Sequence, residues 1–100
     1  SWRERNFGAW EMQSWDAIHA QTGSIHRLME ADFAPEGGET LHAVYLRVQR
    51  ALERLPTTRP ILIVSHGGPI ALARLILAGA PLERAADYIP SPSEIVTLSV

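Results

Sequence analysis

The chain has no cysteine, which excludes disulfides and thiolate metal centres and fits a reducing cytosol. It has no lysine either: all nine cationic residues are arginine. A compositional bias of the source explains that choice better than a ligand does, because the arginines are scattered and form no basic run. An excess of charge is missing too, and a net charge of −2 gives no electrostatic case for nucleic acid. No apolar run approaches the roughly eighteen residues of a membrane span, and no stretch has the pattern of a secretory leader. Repeats and low-complexity tracts are also lacking. What is present is the material of one small domain: 100 residues, 46% of them hydrophobic, enough for a core.

The breakers organise the chain. Residues 1–8 are polar and aromatic and read as a loop. Ser14 caps a short predicted helix carrying Trp15, Ile18 and His19, and a second runs from Ser24 to about Asp32. Pro35-Glu36-Gly37-Gly38 interrupts the pattern. From about Glu39 to Leu55, apolar residues recur at three- and four-residue steps (Leu41, Val44, Tyr45, Val48, Ala51, Leu52, Leu55), which predicts the longest helix. Ile61-Leu62-Ile63-Val64 reads as a buried strand, and Pro69 opens a helix to about Ala78 that Gly79 ends. Residues 81–87 form one more helical turn, and the β-rich tail 95–100 is a second strand. The fold class expected is therefore α/β. A strand apolar on both faces needs neighbours on both sides, so at least one further strand is expected before Ser1.

The strand–turn–helix around Val64-Ser65-His66-Gly67-Gly68-Pro69 is the most chemical feature. It sets an imidazole where a strand meets a helix N-terminus, a place that attracts phosphate. Ser65 does not read as a nucleophile partner for His66, since neighbours along a strand point to opposite faces. Glu4, between Arg3 and Arg5, is either a solvated surface cluster or a held acid–base group. Glu36 and Glu39 make a poor metal pair, and His19, His26 and His42 lack ligand spacing. Trp2, Trp10 and Trp15 read as packing residues.

Together, in order, these blocks resemble the histidine phosphatase superfamily, which includes phosphoglycerate mutases and α-ribazole phosphatases. Arg3-Glu4-Arg5-Asn6-Phe7-Gly8-Ala9-Trp10-Glu11 is similar to its glutamate loop. Phe33-Ala34-Pro35-Glu36-Gly37-Gly38-Glu39-Thr40, with Arg47-Val48 following, resembles its Pro-Gly-Gly-Glu-Ser helix start. Val64-Ser65-His66-Gly67-Gly68 resembles its second-histidine motif.

The resemblance implies a three-layer α/β/α phosphoglycerate mutase-like fold, here an incomplete portion with two strands and about four helices. It makes residues 1–100 the C-terminal portion of one histidine phosphatase domain, nearest in character to α-ribazole and broad-specificity phosphatases. It implies phosphomonoester hydrolysis through a phosphohistidine, with His66 as the second histidine and Glu4 as the general acid that later activates water. The backbone N–H groups of Gly67 and Gly68 would hold the phosphate, and Arg5 would face the substrate. No metal and no cofactor is implied. The partner expected is a small phosphorylated substrate, with a homodimer possible, in the cytoplasm, and with neither nucleic acid nor membrane.

The departures are specific. The attacking histidine's Arg-His-Gly motif is absent, so this stretch alone is expected to be inactive. Met12 replaces the usual glycine after Trp-Glu, and Ala71 stands where an arginine is common. The alternatives are a non-catalytic relative that binds a phosphate ligand or a partner, and mutase-type phosphoryl transfer. A dinucleotide unit ranks last, because Gly67-Gly68 lacks the third spaced glycine.

Overall fold

The computed structural model describes residues 2–11, 13–14, 16–17, 20, 30–91 and 94–98. Two α-helices carry the core: α1, Leu41–Glu53, and α2, Gly67–Ala78. Two 3₁₀ segments flank them, Gly8–Trp10 and Leu82–Tyr88. Helix α1 begins at Leu41 rather than Glu39 because Thr40 is its cap: extended itself, it accepts the Ala43 N–H on its hydroxyl at 3.0 Å. Helix α2 begins earlier than Pro69, at Gly67, with His66 as its cap residue. It ends as expected on Gly79, whose φ of 69° is left-handed.

The periodic face of α1 is the face it buries. Leu41, Val44 and Val48 meet Leu72, Ala73 and Leu75 of α2, and Ala85 closes the cluster. The small Ala71 and Ala73 are buried on α2, which lets neighbours approach closely. Arg74 donates to the Tyr88 carbonyl at 3.0 Å and so ties the Leu82–Tyr88 segment to α2.

The expected α/β architecture is corrected by the structure. Among the described residues there is no strand and no sheet, hence no α/β/α layering and neither of the two expected strands. The segment 61–64 is irregular, with Leu62 88% and Val64 89% exposed, and Ile95 in the tail is 89% exposed. β-propensity favours a pleated, half-buried surface, but a strand exists only through pairing, and no neighbouring ladder supplies it here. A groove of about 680 Å³ lies between these segments and the helices, lined in part by Leu52, Ile63, Ile70 and Leu77. The first short helix is described only in part: Ser14 accepts the Ala17 N–H at 3.1 Å. Most of the second lies outside the described residues, and residues 30–32 form a bend and turn rather than helix.

Candidate functional site

The loop before the 3₁₀ turn and the start of α2 meet at one point, Glu4 against Gly68. A Cβ added at Gly68 would collide with Glu4 Oε1 and sit 3.4 Å from Glu4 Cδ, so the carboxylate rests directly against the bare face of the glycine. The same Oε1 accepts the Arg5 backbone N–H at 2.8 Å. Gly67 is not needed for space, since the nearest atom a Cβ would meet is Ile89 Cγ2 at 3.9 Å. Ser65 Oγ donates to the Trp2 carbonyl at 2.6 Å, which draws the approach to α2 onto the same loop.

His66 is exposed, and its carbonyl accepts the Ile70 N–H at 3.1 Å, opening the helix. Its side chain makes no capping bond, so the imidazole is not spent on the helix end. The N–H groups of the first helical turn, those of Gly67 and Gly68 among them, have no partner within the helix and carry its positive dipole end. A carboxylate thus meets a helix N-terminus at Gly68, two residues after the cap residue His66. Such a set can orient an anionic group and move a proton to or from an oxygen beside it.

The loop that carries Glu4 is held by side chains rather than by secondary structure. Arg5, expected to face substrate, is 6% exposed and directs its guanidinium inward. Its Nε donates to the Glu39 carbonyl and its Nη2 to the Phe33 carbonyl, each at 2.9 Å. Burial pushes the Arg5 guanidinium below its ordinary pKa, against the opposing pull of Glu39 and Glu4. Glu39 receives two nitrogens of Arg47, Nε on Oε2 and Nη2 on Oε1, both at 3.0 Å. That hydrogen-bonded pair holds the Glu39 carboxyl below the usual carboxylate range, although its partial burial works the other way.

Two glycines let this loop lie flat on the 35–39 turn. A Cβ at Gly38 would stand 2.7 Å from the Asn6 carbonyl oxygen and 2.9 Å from the Phe7 carbonyl carbon. Gly8 has φ 55°, and a side chain there would strike the Glu36 carbonyl, which accepts the Ala9 N–H at 2.8 Å. Asn6 Oδ1 caps the Gly8 N–H at 2.8 Å, and Trp10 packs on Phe33 with ring centres 5.4 Å apart.

The structure therefore brings Glu4 against Gly68, two residues from His66, and turns the Arg5 guanidinium toward the 33–39 backbone. His42 is elsewhere, stacked on Tyr45 along α1 with centroids 6.2 Å apart, and His19 and His26 lie outside the described residues. Glu36 is exposed on its turn while Glu39 is engaged by Arg47. Among the described residues no three His, Cys, Asp or Glu side chains are grouped to hold a metal, and no helix is long and apolar enough to cross a membrane. Sequence reasoning missed the Glu39–Arg47 pair as part of the site's support. The signal available was an acid just before the α1 cap and a base on the next turns, because helical side chains lean back toward the N-terminus.

Comparison with known proteins gives one match. A family model described as the histidine phosphatase superfamily (branch 1) matches residues 1–100. Neither the curated proteins nor the solved structures contain a match to the chain.

Proposed function

The chain belongs to the histidine phosphatase superfamily, whose chemistry is phosphoryl transfer of the phosphatase or mutase type, and we propose that it supplies two of the groups for hydrolysis of a small phosphomonoester. Glu4 donates a proton to the ester oxygen as the P–O bond breaks and the phosphoryl group passes to a histidine nitrogen. That attacking histidine comes from outside these 100 residues, since none of the four histidines here stands in an Arg-His-Gly context. Glu4 then takes a proton from the water that attacks the phosphohistidine, and inorganic phosphate leaves. His66 and the N–H groups of Gly67 and Gly68 hold the phosphoryl oxygens, where fixed positive potential does most of the work in this kind of transfer.

The single observation that carries the reading is the Glu4 carboxylate seated on Gly68 at the head of α2, next to His66. Hydrolysis rather than mutase transfer is favoured by the short stretch between Glu11 and Phe33, which leaves little room for a large insertion.

The test is turnover of p-nitrophenyl phosphate and of an alkyl phosphate by the full-length protein. His66→Ala should lower kcat on both by about a hundredfold or more, the scale on which a preorganised donor acts. Glu4→Gln should lose most on the alkyl ester. Unchanged turnover in both variants refutes the site, and hydrolysis by residues 1–100 alone refutes the external nucleophile. Phosphate binding that depends on His66 without any turnover would point instead to a non-catalytic relative.

A further inference from the structure

Arg47 lies on α1 and reaches back to the backbone that carries Glu4. Its Nη1 donates to the Arg3 carbonyl at 2.7 Å and its Nη2 to the Glu4 carbonyl at 3.0 Å. The other side of the guanidinium is locked on both oxygens of Glu39. Glu39 in turn accepts the Asn6 N–H at 2.8 Å and donates its own N–H to the Asn6 carbonyl at 2.7 Å. Residue 4 is thus bracketed: carbonyls 3 and 4 by Arg47, both backbone groups of residue 6 by Glu39. A glutamate side chain has three rotatable bonds, so a carboxylate can be aimed only if its backbone does not drift.

We infer that Arg47 is a positioning residue for Glu4, fixing the backbone so that the carboxylate stays over Gly68 and in line with the departing oxygen. The pair with Glu39 keeps the guanidinium plane in register with two successive carbonyls, a task for a rigid fork and not for an ammonium. The inference rests on the reading of Glu4 as the proton donor. Arg47 acts through Glu4, so its loss should hurt departure of a leaving group that needs a proton and spare departure of one that does not.

The experiment uses that asymmetry. p-Nitrophenolate leaves without protonation, whereas an alkoxide needs a proton, so glycerol phosphate and p-nitrophenyl phosphate are compared in the full-length protein. The contrast is read in kcat/KM, which ends at release of the alcohol, because the later attack of water on the phosphohistidine is common to both esters. Glu4→Gln should lower kcat/KM on glycerol phosphate by about a hundredfold or more and much less on the aryl ester. Arg47→Ala should lower kcat/KM on glycerol phosphate on the order of tenfold, with kcat/KM on the aryl ester little affected. Arg47→Lys should fall between, and adding Arg47→Ala to Glu4→Gln should lower glycerol phosphate turnover no further. Equal kcat/KM losses on both esters, or a full additional loss in the double variant, would overturn the inference. If Arg47→Ala does not fold, Arg47→Lys carries the same comparison. A Glu4→Gln protein with no preference between the esters removes the Glu4 reading itself, whereas a preference there with none at Arg47 removes only the positioning role.

Discussion

Two irregular regions of this molecule are built on opposite terms. The loop 3–11 has little regular structure, yet Arg5, Asn6, Glu11, Glu39 and Arg47 bond its backbone groups or those it rests on. The segments 61–64 and 94–98 are richer in β-branched and aliphatic residues, yet Leu62, Val64 and Ile95 lie open to solvent. Polar side chains with defined geometry can hold irregular backbone one group at a time. Aliphatic side chains hold backbone only by being covered, because the hydrophobic effect is non-directional and needs a second surface. Order in the first region is therefore specified by individual atoms, and in the second it is left to whatever surface meets it.

The sharpest way to break this contrast is at Gly8. Alanine there must take a φ of 55° and press a Cβ on the Glu36 carbonyl, so Gly8→Ala should destabilise the protein by about 3 kcal/mol in urea unfolding. A loss under about 0.5 kcal/mol, within the range of ordinary surface changes, would mean that the loop yields and is not held as described.

A smaller effect is expected from acid. The Glu39 carboxyl titrates lower in the folded protein than in the unfolded chain, chiefly through the Arg47 hydrogen bond. Its contribution is complete above the unfolded value of roughly 4.3 and disappears as pH falls through the folded one. Wild type should therefore lose stability between about pH 5 and 3 more steeply than Glu39→Gln, measured as the urea midpoint against pH. Parallel curves would separate Glu39 from the clamp.

The least effect belongs to the open region. Leu62→Thr, at a side chain 88% exposed, should shift the urea midpoint by no more than about 0.5 kcal/mol equivalent, despite removing an aliphatic residue from the most strand-like stretch. A loss of about 2 kcal/mol would show that Leu62 is covered in solution, since that is the scale of burying a leucine side chain.

Much of the helical framework was legible because its signals are local. The three- and four-residue steps over 41–52 marked the α1 face that is buried, and Gly79 marked the end of α2. The α1 cap at Thr40 and the start of α2 at Gly67 lie a residue or two from where periodicity puts them, because a capping side chain and a glycine pair compete with simple periodicity. The stretch 61–64 departs from its strand pattern for a different reason. Its composition describes what a strand would like to touch, but whether it touches anything is not written in those four residues.

The chain alone carried the residue types and their order: the Glu4 loop, the Pro35–Thr40 turn and the His66-Gly67-Gly68 helix start, enough to place it among phosphoryl-transfer proteins. Folding added the distances. It laid Glu4 on Gly68 and set Arg47 behind it. It also set the Arg5 guanidinium on the Phe33 and Glu39 carbonyls, and left 61–64 without a ladder. Helix periods and caps are read within a few residues of chain, whereas the partner of a guanidinium or of a strand edge is fixed by contacts between segments tens of residues apart.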